Sequence, residues 1–180
     1  MKEEYINLLK SVKRKGINKL IDYLDMETDF FTAPASSKFH LSCEEGLLKH
    51  SLNVYHELVK ESNRDDDSVI IVSLLHDICK TNYYQKNIRN IKDKDGNYKP
   101  SVYYTANDKF PVGHGEKSII MILKFIELTE EEICAIRWHM GAYEPKESYP
   151  SLSSAFTKYP LSLQLHVADL KATYILEKES

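Results

Sequence analysis

Apolar residues return with helical period along most of the chain. Ile6, Leu9, Val12, Ile17, Leu20, Ile21 and Leu24 predict an N-terminal helix, or a pair of helices broken near Gly16. The stretch FFTAPASSKFHLSCEEG, residues 30–46, has no period and holds Pro, Ser and Gly, so it reads as an irregular loop. A helix follows from about Leu47 to Ser62. NRDDD then supplies a turn and an acidic helix start, which suits the positive end of the helix after it. That helix, Ser68 to about Lys80, is apolar on most sides (VIIVSLLHDIC), the mark of a central, buried element. Two more helices are expected, one at about Gly115–Glu127 and one from Thr129 to about Met140. Thr129 and Glu132 form a capping box at the start of the second, and Gly141 is placed to end it. A last helix runs from about Leu161 to Lys178.

The interval Tyr83–Pro111 breaks the helical pattern. Asp95-Gly96-Asn97 is a turn signal between NIRNIK and NYKPSVYY, which predicts a β-hairpin. The expected fold class is therefore all-α: a single domain over residues 1–180, with residues 1–25 as a helical segment packed on it and residues 83–111 as a small hairpin excursion. No internal repeat or low-complexity linker divides the chain. Its 180 residues, 42% of them hydrophobic, suit one core.

Charge and composition narrow the function classes. A net charge of −3 gives no global basic field for duplex nucleic acid, while leaving room for a local basic pocket around a small anionic substrate. The opening MKEEYINLLKSVKRK is charged and amphipathic, unlike a signal peptide. The apolar runs near Val69–Leu75 and Ile119–Leu123 are too short to span a bilayer, so no membrane partner is expected. Cys43, Cys79 and Cys134 are scattered and form no CxxC, which suits reduced thiols in a cytoplasmic protein.

The candidate chemistry lies in a series of six residues: His50, His76-Asp77, His114, His139 and Asp169. Four imidazoles and two carboxylates, with no thiol, make a ligand set for one or two divalent metals. Five of the six fall on predicted helices or at their ends. Asp77 sits in the most apolar helix, where an unpaired carboxylate costs several kcal/mol. It needs a partner, either a metal or an Arg or Lys. A lone histidine on a helix is more often a hydrogen-bonded residue than a ligand; the ordered set is far more specific than any member.

The order His, His-Asp, Asp resembles the HD superfamily of metal-dependent phosphohydrolases. The local strings carry the resemblance over about residues 39–174: EGLLKHSLNV around His50, VSLLHDICK around His76-Asp77, and LHVADLKATY around Asp169. Glu45 and Cys79 stand where the family usually has glycine, and neither departure removes a ligand. The resemblance implies an HD-type helical domain with His50, His76, Asp77 and Asp169 around a first metal. His114 in VGHGEKS and His139 in IRWHMG match the two extra histidines of binuclear members, in which the aspartate of the pair bridges both ions. Manganese, iron, cobalt, nickel and zinc all suit such donors. Lys80 resembles the lysine of the family's HDxxK string, which implies a phosphate contact beside Asp77.

The activity implied is hydrolysis of a phosphoester by a metal-activated hydroxide, on a small phosphorylated substrate such as a nucleotide, cyclic dinucleotide or short oligonucleotide. Lys117 and Arg137 are weaker candidates for the substrate's charge, with a solvated helix charge as the plainer reading. His40 is either near substrate or a loop hydrogen-bonder. His56 faces elsewhere, and His166 reads as a packed, hydrogen-bonded residue. The tyrosines of the hairpin (Tyr83, Tyr84, Tyr98, Tyr103, Tyr104) are read as packing on the helical body, with a base-stacking pocket rim as the alternative. Two other functions compete: an HD-fold di-iron oxygenase, and a non-catalytic metal-stabilised ligand-binding module.

Overall fold

A computed structural model describes residues 1–94 and 96–178. Among them lie eight α-helices and one antiparallel hairpin. The helices are α1 (Lys2–Ser11), α2 (Ile17–Met26), α3 (Gly46–Ser62), α4 (Asp67–Leu75), α5 (His114–Leu123), α6 (Glu130–Trp138), α7 (Tyr149–Lys158) and α8 (Pro160–Lys171). The hairpin strands are β1 (Tyr84–Lys92) and β2 (Tyr98–Ala106), paired from Tyr84 with Ala106 to Lys92 with Tyr98. Of the expected turn Asp95-Gly96-Asn97, Asp95 lies outside the described residues; Asn97 donates its backbone N–H to Asp93 Oδ1 at 2.9 Å.

α4 sits at the centre for the reason its composition suggests. Asp66 caps its start by accepting the Val69 N–H at 3.1 Å, and every side chain from Val69 to Leu75 is buried. α3 packs on α4 and α8, and α6 packs on α5 and α8. One hydrophobic cluster runs from Tyr5 to Ala172. The N-terminal pair is broken at Gly16, whose φ of 95° is left-handed and whose hydrogen faces the Phe125 carbonyl; a Cβ there would stand 1.9 Å from that oxygen.

Three expectations need correction. The apolar helix stops at Leu75 and does not reach Lys80. Ser73 O, a carbonyl of its last turn, accepts the Nδ1–H of His76 at 2.8 Å, and Ile78–Lys80 form a 3₁₀ turn. His76 caps the helix, still helical in backbone with its N–H on the Val72 carbonyl at 3.1 Å, and Asp77 is the first residue to leave the regular spacing. The regular α-helix ends at Lys171 and widens into a π turn, Ala172–Leu176. α7 was not anticipated; its Ser-rich sequence is weakly periodic, and its Pro150 lies in the first helical turn, where proline is tolerated. Among the described residues no helix is long and apolar enough to cross a membrane.

Candidate metal centre

The chain delivers its histidines to one point from the ends and faces of several helices. His50 projects from the second turn of α3, His76 and His139 follow the last residues of α4 and α6, His114 opens α5, and Asp169 lies on α8. His76 and His139 share a local device. Each ring donates Nδ1–H to a carbonyl three residues back, Ser73 O at 2.8 Å and Ile136 O at 2.7 Å. The last carbonyls of a helix lack backbone partners, so each ring closes its own helix while fixing its tautomer.

That leaves Nε2 of both rings as a bare lone pair, and both are buried with no hydrogen-bond partner. They face a carboxylate: His76 Nε2 stands 3.5 Å from Asp77 Oδ2 and His139 Nε2 stands 3.6 Å from Asp77 Oδ1. Acceptors turned toward acceptors in a buried site form a donor set that a cation would fit. Burial pushes His76 down to about 3, so the ring carries no charge of its own to relieve this.

His50 is oriented by a carboxylate. Its Nδ1 bonds Glu177 at 3.1 and 3.2 Å, while its Nε2 lies 3.2 Å from Asp169 Oδ1 and 3.6 Å from Asp77 Oδ2. Burial would lower its pKa, but the bonds to Asp169 and Glu177 outweigh burial and lift it to about 9. His114 places Nε2 2.6 Å from Asp77 Oδ1 and Nδ1 3.3 Å from Cys79 Sγ. Against burial, Cys79 and Asp77 raise it to about 10. Four overlapping groups can each hold an ion: His50, His76 and Asp77; His76, His139 and Asp169; Asp77, His114 and His139; and His40, His50 and Glu177. Asp77 belongs to two of them.

Of the two partners open to a buried Asp77, a metal or a basic side chain, the structure supplies a basic one. Lys80 Nζ donates to its Oδ2 at 2.6 Å, and His114 reaches the other oxygen. Side chains three apart eclipse on a 3₁₀ turn, which is why Lys80 lands on Asp77. Burial alone would raise the carboxyl, yet the Lys80 ammonium and the His114 ring hold it well below the usual carboxylate range. The case for a cation therefore rests on the bare imidazole nitrogens.

A cavity of about 580 Å³ opens onto the cluster and is lined by His40, His50, Asp77, Lys80, His114, His139, His166 and Asp169, among others. His76 lies behind its floor, fully buried. His40 has a bare, buried Nε2, 3.9 Å from Glu177. His166 donates Nδ1–H to the His139 carbonyl at 2.6 Å. His56 pairs with Glu4 on the surface. Lys117 is spent on Asp108 at 2.7 Å, and Arg137 on Glu116 at 2.7 Å and Glu144 at 2.9 Å; neither lines the cavity. None of the hairpin tyrosines does either.

Glu177 escaped the sequence reading. It lies in a charged run, EKES, that resembles a solvated tail, and only the π turn folds it back against α3, where Asn53 also donates to it at 2.8 Å. No protein-family model, curated protein or solved structure matches the chain. What is shown is a helical fold enclosing a buried His/Asp cluster fit for metal.

Proposed function

We propose that the chain is a metal-dependent phosphoester hydrolase of the HD kind, acting on a small phosphorylated, nucleotide-like substrate. One observation carries the reading: His76 Nε2 and His139 Nε2, both bare and buried, stand against the two oxygens of one carboxylate. Nitrogen and oxygen donors of this kind suit manganese, iron, cobalt, nickel or zinc. His50, His76, Asp77 and Asp169 would hold one ion, and Asp77, His114 and His139 a second. When bound, such a cation supplies charge against a phosphoryl oxygen and makes water more acidic.

The chain's own residues supply the rest. Lys80 keeps its proton, because Asp77 raises its pKa against the pull of burial, and its ammonium lines the cavity. A fixed cation there meets the negative charge that grows on a transferring phosphoryl group. Oxygen chemistry has no such use for it, which favours ester hydrolysis over the di-iron oxygenase reading. Glu177 and the carbonyls of Ser73 and Ile136 hold three rings in place before any ligand arrives.

Elemental analysis of manganese-loaded protein, followed by a phosphate-release panel of monoesters, diesters and cyclic esters, tests this. About two ions per chain and chelator-sensitive release are expected. Metal-loaded protein that cleaves nothing on the panel would remove the hydrolase reading. A stoichiometry of about one would confine the site to His50, His76, Asp77 and Asp169.

A further inference from the structure

The cavity is ionic at its floor and aromatic at its mouth. Phe39, Tyr143 and Tyr174 all line it, yet they remain 83%, 63% and 51% exposed. Met140 and Leu170 add apolar wall. Large rings left in water around a concave site are unfavourable in the free chain, and a ligand that covers them recovers that free energy.

The rings are held by the same elements that present the metal donors. Phe39 precedes His40. Tyr143 ends the 3₁₀ turn Gly141–Tyr143, which begins just after His139, and Tyr174 lies in the π turn that follows Asp169 on α8. The hydroxyls of Tyr143 and Tyr174 share a hydrogen bond of 2.6 Å. That bond ties the turn after α6 to the turn after α8 and fixes the separation of the two rings. Their polar tips satisfy each other, which leaves the ring faces as what the pair offers a ligand.

We infer that this mouth receives a flat, largely apolar group on the alcohol side of the phosphoester, covered by Tyr143 and Tyr174 with Phe39 as a third contact. The inference rests on the proposed hydrolase reading, which puts the phosphate over the donors below. In a nucleotide-like substrate that group is the base, whereas glycerol or a sugar without a base would leave the rings in water.

Calorimetric titration of manganese-loaded protein with phenylphosphonate and methylphosphonate tests it, because neither P–C bond hydrolyses and turnover plays no part. Phenylphosphonate is expected to bind about tenfold tighter, the order of one aromatic contact. The double variant Tyr143→Ala, Tyr174→Ala should bring the two affinities within about threefold, while Tyr143→Phe, Tyr174→Phe should keep the preference. Both positions are more than half exposed, and circular dichroism checks that each variant folds. Equal binding of the two phosphonates by the wild-type chain, or a preference that survives the double alanine variant, overturns the aromatic mouth alone. Failure of both phosphonates to bind metal-loaded protein removes the phosphoester reading and this inference with it.

Discussion

At His76 and His139 one ring has two roles, and the roles are inseparable. Nδ1 closes a helix end and Nε2 is thereby left without a proton. His50 is oriented instead by Glu177, so replacing that carboxylate tests how far ring orientation matters. Glu177→Gln is expected to lower metal affinity about 10- to 100-fold, read by competition with a coloured chelator; unchanged affinity would reduce Glu177 to a packing residue. Lys80→Ala should behave differently. It leaves every donor in place, so metal content should hold, while turnover falls about 10²- to 10³-fold in a steady-state assay. That the six residues could cluster was legible because imidazole and carboxylate recur in an order that few other demands would produce. Glu177 was not, since nothing in a run of charges says which member is buried. The partner of Asp77 was left open between metal and cation, and Lys80 fills that place through a turn geometry the sequence did not announce.

Among the elements, the joint between the N-terminal pair and α6 shows how polar groups are used inside this fold. Glu132 is fully buried, completes the capping box with Thr129, and takes a two-pronged bond from Arg14 at 2.9 and 3.0 Å and a third from Ser68 at 2.8 Å. Arg14→Ala would leave that carboxylate buried without its cation, a loss of about 3 kcal/mol by urea unfolding. Burial alone would raise Glu132, but Arg14 and the Thr129 amide outweigh it and hold it low. A lowered carboxyl contributes stability that is present above its unfolded pKa of 4.5 and fades as pH falls toward the folded one. The deficit of Arg14→Ala should therefore shrink below about pH 4, and a deficit constant with pH would show that packing, and not charge, links the elements. The capping box was visible in the sequence because its spacing is fixed. The early end of α4 was not, because VIIVSLLHDICK holds neither Gly nor Pro and the stop is made by an imidazole.

For the whole molecule, the cluster draws on α3, α5, α6, α8 and the end of α4, so an ion there would act as a cross-link on most of the fold. Metal at a hundred times its dissociation constant should stabilise the chain by about 2.7 kcal/mol. Calorimetric melts with and without chelator should differ accordingly, and identical melts would mean that the folded chain holds no ion. The all-α class with its single hairpin was legible at this scale, since period and turn chemistry act locally. How the ends of the helices meet was not, because that depends on distant packing. The distance matters in time as well. His50 and Glu177 meet across 127 positions, and α8 must lie on α3 before Asp169 can join them. A chain leaving the ribosome thus presents His50, His76 and Asp77 first, then His114 and His139, and Asp169 and Glu177 last. On the proposed reading, capture of an ion by the whole cluster would follow folding: in refolding experiments, ions added at the end should load the protein as fully as ions present from the start.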